Sequence, residues 1–327
     1  MNTGQGKTVI ITGANSGIGY EAAKQLEKAG YERVILACRS NEKAEDARKR
    51  LIAAGAKDVF EALVIDTSEP SSGKKAAEVL ASNGGNIDVL ILNAGMMPGS
   101  KLEKNSDGME LTFASTLAGH HALVMGLLEK GKLSEHARII ISGSEGARGE
   151  MSGMNVVDLD ELAEKHFGGD LGAAMIGAAK GEPNPFKGMD AYVTAKTYVA
   201  WWAAALSHKL PQGMTVNAVS PGAAMDTAFM RNMPWLMRNM MQLIMPLIAD
   251  TGKVGPAARR YLDAAEYGDD VTGKFFASPQ KKMIGPLEVQ PQAHFADTNK
   301  QELAWTAITK LTGVGYPASE AVGEEMS

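Results

Sequence analysis

Tyr192 and Lys196 stand four residues apart in Tyr192-Val-Thr-Ala-Lys196, a spacing that puts a phenol and an ammonium on one face of a helix. There the positive charge can lower the phenol pKa from about 10 toward neutrality, which suits a general acid or base. Alone, the pair reads equally well as an amphipathic helix with a surface lysine. The N-terminal segment favours chemistry. Lys7-Thr-Val-Ile-Ile-Thr12 runs into Gly13-Ala-Asn-Ser-Gly-Ile-Gly19, which reads as a buried strand, a glycine-rich turn and the start of a helix.

That turn meets the needs of a dinucleotide. One glycine makes the turn, one lets the backbone approach a pyrophosphate, and one allows close helix packing. With Asn15, Ser16 and Ile18, the glycines at 13, 17 and 19 form a candidate phosphate loop. The helix N-terminus behind it offers free N–H donors and a partial positive charge. At the end of the second strand a carboxylate would bind the adenosine ribose hydroxyls and disfavour a 2′-phosphate. This chain has Cys38-Arg39-Ser40 there, and Arg39 can form charge-assisted bonds to that phosphate. The expected cofactor is therefore NADP and not NAD. Asp66, ending strand three, could accept from the adenine amino group. Asn93, Ala94 and Gly95 end strand four, where small residues let the backbone pass close to the adenosine ribose.

The elements that must position these residues alternate. Val9–Thr12, Arg33–Cys38, Phe60–Asp66, Ile87–Asn93, Arg138–Ser142 and Thr215–Val219 read as strands, and Lys274–Ala277 as the last strand. Helical patterns cover 20–29, 42–54, 71–81, 108–130, 191–209 and 298–311. Short, nearly continuous apolar strands separated by helices predict an α/β fold with one doubly wound parallel sheet covered on both faces, a Rossmann-type arrangement. One domain is expected over residues 1–316. It carries an insertion at 145–190, too long for an ordinary connection, and a helical substrate lid at 223–250. The tail 317–327 is expected to be disordered. The run Asp158-Leu-Asp-Glu161 reads as a solvated helix start, and no metal site is expected.

Composition narrows the class. The 327 residues are 45% hydrophobic and 22% charged, and the net charge of −5 gives no reason to expect nucleic-acid binding. Cys38 is the single cysteine, so no intrachain disulfide and no cysteine-based zinc site can form; it reads as a small buried hydrophobe. The first seven residues lack an apolar signal-peptide core, and no run of about 18 apolar residues marks a membrane span. A cytoplasmic protein is the expectation.

Taken together, Thr12-Gly-x-x-x-Gly-x-Gly19, Asp66, Asn93-Ala-Gly95, Ser144, Tyr192-x-x-x-Lys196 and Pro221-Gly222 resemble the short-chain dehydrogenase/reductase family over roughly residues 7 to 280. The segment Leu36-Ala-Cys-Arg-Ser-Asn-Glu-Lys-Ala44 is most similar to the branch holding retinol dehydrogenases and protochlorophyllide reductases, whose members usually prefer NADP. The resemblance implies a mechanism. Tyr192 exchanges a proton with the substrate oxygen, and Ser144 donates a hydrogen bond to that oxygen. Lys196 lowers the phenol pKa and binds the nicotinamide ribose. Pro221 and Gly222 lie beside the nicotinamide.

Three positions depart from the family pattern. Its fourth catalytic residue is an asparagine that holds a water in the proton relay; Phe113-Ala-Ser-Thr-Leu-Ala-Gly-His120 puts Thr116 there, with one hydroxyl and no amide fork. The step from Ser144 to Tyr192 is long. After Pro221-Gly222 the family's nicotinamide-contacting threonine is matched only by Thr227, after a one-residue shift.

Seven of the 19 methionines fall between Met225 and Met245, with Phe229 and Trp235. Methionine makes adaptable apolar walls, so this segment reads as a cover for a bulky hydrophobic substrate. Plain lid packing and interfacial membrane docking through Arg231 and Arg238 are the other readings. Trp201 and Trp202 point away from Lys196, into the core or onto a dimer helix; a monomer or homodimer is expected. His120 and His121 read as structural. The function expected is NADP-dependent hydride transfer between nicotinamide and a carbonyl or alcohol carbon. The alternatives are a C=C reductase of the protochlorophyllide reductase type and a non-catalytic NADP sensor.

Overall fold

Among the described residues, eight strands form one sheet in the order β3-β2-β1-β4-β5-β6-β7-β8. The computed structural model describes residues 3–150, 155–183, 185–223 and 253–318. Strands β1 (Thr8–Thr12), β2 (Arg33–Cys38), β3 (Phe60–Val64), β4 (Ile87–Leu92), β5 (Leu133–Ser142), β6 (Thr215–Val219) and β7 (Phe275–Ala277) run parallel, and β8 (Glu288–Val289) is antiparallel to β7. Side chains alternate across the sheet. Ile10, Ile35, Leu90 and Ile139 enter one core, while Val9, Ile11, Val34, Leu36, Val89 and Ile140 enter the other. Burial on both faces is why these strands read as continuous apolar runs.

Helices α1 (Gly17–Lys28) and α2 (Asn41–Ala53) cover the second core. Helix α3 (Pro70–Ser82) and the long helix α4 (Leu111–Glu129) cover the first. α4 is long and apolar enough to cross a membrane, yet most of it is buried inside the fold. Its backbone meets that of α3 closely: a Cβ on Gly73 would lie 2.3 Å from the Gly119 carbonyl oxygen, so glycine at 73 sets how near α4 approaches. Within α4, residues Ala114–Ala118 form a π-turn.

The described residues between 145 and 190 are folded. A 3-10 turn at Glu145–Arg148 is followed by α5 (Leu159–His166) and α6 (Leu171–Ala179). Asp158 and Asp170 cap these two helices, their carboxylates accepting from the Glu161 and Ala173 amides at 2.9 Å each. α7 (Gly188–Ser207) is packed on all sides, with α9 (Thr298–Thr312) among its neighbours; α8 (Val254–Ala265) lies against α1. Trp201 and Trp202 therefore pack within this chain. The Trp202 indole donates to His121 Nδ1 at 3.0 Å and the Trp201 indole to the His294 carbonyl at 2.6 Å.

Two expectations need correction. β5 starts at Leu133 and not at Arg138, because its polar first residues pair past a register shift between Ile87 and Val89. β7 is not the last strand, since the two-residue β8 closes the edge. The methionine-rich segment 225–248, Thr227 and the end of the tail from 319 lie outside the described residues.

Candidate active site

The chain leaves β1 for β2 and β3 on one side, then returns to β4 on the other. Such a switch point opens a crevice beyond the carboxyl ends of β1 and β4, where open α/β sheets bind ligands. A cavity of about 460 Å³ sits there. Gly13, Asn15, Ser16, Gly17, Ile18, Gly19, Arg39, Asp66, Asn93, Ala94, Gly95, Ser144, Tyr192, Lys196, Pro221 and Gly222 all line it.

The phosphate loop is shaped by its glycines. Gly13 and Gly17 have φ of 69° and 56°, the left-handed region that favours glycine. A Cβ on Gly19 would lie 2.4 Å from the Gly13 carbonyl oxygen and 2.7 Å from Asn93 Nδ2. The bare backbone this leaves, at the N-terminus of α1, is a cradle for an anion. Arg50 braces the loop from α2, donating to the Asn15 carbonyl at 2.6 Å while its guanidinium lies 4.6 Å from the Tyr20 ring centre.

At the end of β2, Arg39 is joined by Lys43, which also lines the cavity. Ser40 caps α2, its hydroxyl accepting from the Lys43 amide at 3.4 Å. The first helical turn thus brings Lys43 to the same cavity as Arg39. Sequence reading missed Lys43; the signal was a cap residue directly after Arg39 with a cation three positions on. Thr67, Ser68 and Ser115 line the cavity as well. The Asp66 carboxylate accepts from the Ser68 amide and hydroxyl at 3.0 and 2.7 Å.

The loop after β4 is tied on two sides. Asn93 Nδ2 donates to the Thr12 carbonyl at 2.9 Å, and the Ala94 amide donates to Thr12 Oγ1 at 2.9 Å. The Tyr261 hydroxyl on α8 bridges Asn93 Oδ1 at 3.2 Å and Ser142 Oγ at 2.9 Å, joining the ends of β4 and β5.

At the other end of the cavity, Tyr192 and Lys196 share a face of α7 as their spacing predicts. The Tyr192 phenol hydrogen-bonds Ser144, whose hydroxyl also accepts the Gly146 amide at 3.1 Å. Lys196 Nζ donates to the Ser142 carbonyl at 2.7 Å. The electrostatics differ from the expectation. Burial pushes the Tyr192 phenol up to about 12, with the Ser144 bond opposing and the Glu145 carboxylate adding to the rise. Burial likewise pulls the Lys196 ammonium down to about 7. Spacing puts the two groups on one helix face, but both are out of water, and desolvation is the largest cause of each shift.

Thr116 does not line the cavity. It is 1% exposed, and its hydroxyl has no hydrogen-bond partner among the described residues. It stands behind Gly95: a Cβ built on Gly95 would lie 3.4 Å from Thr116 Oγ1 and 4.0 Å from Lys196 Nζ.

The turn bearing Ser144 is held by a buried polar network. Glu145 Oε1 accepts from Ser278 Oγ at 2.9 Å and from Arg260 at 3.3 Å, and Oε2 accepts from the Ser220 hydroxyl. Arg260 also donates to the Ser220 carbonyl at 2.9 Å, beside Pro221 and Gly222. Arg148 donates to the carbonyls of Ser278, Pro279 and Lys282 at 2.9, 3.1 and 2.7 Å. Cys38 is buried, and burial raises its thiol to about 11.

Comparison with known proteins agrees with this architecture. The family model for short chain dehydrogenases matches residues 7–156. Mouse retinol dehydrogenase 13 is 30% identical over 318 residues, covering 94% of this chain and 84% of that protein. The chicken WW domain-containing oxidoreductase is 31% identical over 83% of this chain, which spans only 61% of that relative's length. A short chain dehydrogenase from Burkholderia cenocepacia, solved in complex with NADP, shares the fold with a TM-score of 0.59 at 23% identity, covering 83% of this chain and 96% of its own. The chain belongs to the short-chain dehydrogenase/reductase family of oxidoreductases, in the branch that holds the retinol dehydrogenases.

Proposed function

We propose that this protein is an NADP-dependent oxidoreductase that moves a hydride between nicotinamide and the carbonyl or alcohol carbon of a bulky hydrophobic substrate. The observation that carries the reading is that Arg39, the glycine loop, Ser144, Tyr192 and Lys196 all open onto one cavity. The left-handed turn at Gly13 and Gly17, which lines the cavity at the N-terminus of α1, fits a pyrophosphate. Arg39 and Lys43 stand where an adenosine 2′-phosphate would lie, and Asp66 with Asn93, Ala94 and Gly95 would border the adenosine. When bound, the nicotinamide supplies or accepts the hydride.

The chain's own groups do the rest. Tyr192 holds the proton exchanged with the substrate oxygen; a phenol pushed up to about 12 is fully protonated at neutral pH, as a donor in carbonyl reduction must be. Ser144, already bonded to that phenol, orients it and donates to the same oxygen. Lys196 passes the proton on: with its ammonium near 7 it holds both protonation states at neutral pH. Thr116, on the Lys196 side of Gly95, takes the place of the family's asparagine in the proton path. Pro221 and Gly222 border the nicotinamide end. The bulky-substrate part rests on the methionine-rich sequence 225–248 and on a relative named for retinol. Cys38, the single cysteine, ends β2 next to Arg39 and lines the cavity from that strand. That position, at the Arg39 end, favours carbonyl chemistry over the C=C reductase alternative.

The test is an NADPH-oxidation screen over bulky ketones, aldehydes and quinones, with Tyr192→Phe as the blank. Turnover by the wild type and none by the variant, with NADPH binding kept, supports the reading. Equal rates in the two proteins would overturn it.

A further inference from the structure

We infer that His120 is a positioning residue that fixes the gap between the Asn93–Gly95 loop and the turn carrying Thr116. Its kinetic consequence rests on the oxidoreductase reading above; its structural consequence does not. The imidazole is 0% exposed and both ring nitrogens are engaged. Nε2 lies 2.9 Å from Thr12 Oγ1, and Nδ1 lies 2.9 Å from the Thr116 carbonyl oxygen. A carbonyl only accepts, so Nδ1 carries the proton and Nε2 accepts. Thr12 Oγ1 already receives the Ala94 amide at 2.9 Å, so its own proton is the one given to Nε2. Every donor in the chain Ala94, Thr12, His120, Thr116 therefore has one direction. Burial, which pulls the imidazole down to about 4, keeps it in this neutral form.

The two arms end on opposite sides of one gap. Through Thr12 the ring holds Ala94, the residue before Gly95. Through the Thr116 carbonyl it holds the π-turn over Ala114–Ala118. A Cβ on Gly95 would lie 3.4 Å from Thr116 Oγ1 and 4.0 Å from Lys196 Nζ, so the loop, the threonine hydroxyl and the ammonium meet there. A planar ring with its two nitrogens at fixed separation is a rigid spacer between β1 and α4. The adjacent His121 supplies an internal contrast. It is equally buried, but its Nδ1 accepts from the Trp202 indole at 3.0 Å and its Nε2 lies 2.8 Å from the Val314 carbonyl. It joins α4 to α7 and the C-terminal segment, and has no arm toward the gap.

Asparagine mimics Nδ1 and glutamine mimics Nε2, so His120→Asn keeps the Thr116 arm and His120→Gln keeps the Thr12 arm. In His120→Asn, exchange of the Ala94 amide, corrected for global unfolding with the Ile140 amide, is expected to rise by about tenfold or more. In His120→Gln it should stay within about threefold of wild type. Both variants should lose about tenfold to a hundredfold in kcat, with KM for NADPH within about twofold. His121→Asn should lower Tm while leaving Ala94 exchange and kcat within about twofold. Unchanged Ala94 exchange in His120→Asn, or unchanged kcat in both His120 variants, would overturn the assignment. If the variants do not fold, long-range 15N–1H spectra of the wild type still decide. A His120 ring protonated at Nδ1 alone at neutral pH supports the assignment, and one protonated at Nε2 defeats it. A wild type that turns over no carbonyl would sink the oxidoreductase reading, while Ala94 exchange and the ring tautomer would still judge this one.

Discussion

Replacing Lys196 by methionine should make the folded protein more stable near neutral pH while abolishing turnover. Burial moves the ammonium from 10.5 to about 7. Each tenfold in acidity is about 1.4 kcal/mol, so holding the charge costs the folded state up to about 5 kcal/mol at and below pH 7. Methionine fills a similar volume without the charge. It leaves the Ser142 carbonyl without the Nζ donor now at 2.7 Å, a loss of about 1–3 kcal/mol. The balance is a gain of about 2–4 kcal/mol near pH 6. The sign follows from linkage. Between the folded value of about 7 and the ordinary 10.5, the unfolded lysine keeps a proton that the folded one has released. Wild-type stability therefore rises with pH there by about 1.4 kcal/mol per pH unit, and the variant's advantage falls at that rate, reversing between about pH 8 and 10. Guanidinium unfolding of both proteins from about pH 6 to 9 measures the difference. Tyr192, raised to about 12, makes stability fall only above the ordinary tyrosine pKa, outside that range. A difference flat in pH to within about 0.5 kcal/mol, or a variant that is less stable at pH 6, refutes the claim that this ammonium is held against its desolvation.

Three other outcomes are expected. Arg39→Asp combined with Lys43→Ala should shift the NADPH over NADH preference in kcat/KM by about a hundredfold or more toward NADH, since charge-assisted bonds are worth about 1.5–3 kcal/mol each; an unchanged ratio rules out a 2′-phosphate site at the end of β2. Gly19→Ala puts a methyl 2.4 Å from the Gly13 carbonyl oxygen and should weaken NADPH binding by about a hundredfold; calorimetry giving the wild-type Kd would disprove the cradle. Glu145→Gln leaves the Arg260 guanidinium buried without its counter-charge and should cost about 3 kcal/mol, read as a lowered guanidinium midpoint, with a stability loss under about 0.5 kcal/mol contradicting the network's energetics.

Much of this was legible in the chain because buried parallel strands are short apolar runs, and six of the seven expected strands lie where Val, Ile and Leu cluster. β8 escaped because Glu288-Val289 is two residues with no pattern. Tyr192 and Lys196 could be placed on one helix face from spacing alone, but their protonation could not. Spacing reports the distance between charges, whereas the shifts come from burial by residues far along the chain. Lys43 is local and was readable from the cap at Ser40. The engagement of His120 was not, since its partner Thr12 lies 108 positions earlier. Thr116 was found by motif position, while its place behind Gly95 depends on the π-turn in α4, which has no sequence signature here.

The network around Glu145 and Arg148 bears on the order in which the molecule is assembled. The first five strands and the phosphate loop are complete by Ser142, so the nucleotide crevice can take shape from the first half of the chain. The turn presenting Ser144 waits for partners 130 to 147 positions downstream, among them Ser278, Lys282 and His294. Closing loops of that length is slow compared with the local βα steps before it. A newly made chain is therefore expected to form the strands of the crevice before the turn that presents Ser144 is held. Among the described residues the C-terminal segment lines none of the cavity, yet through Ser278, Lys282 and His294 it holds the turn that presents Ser144.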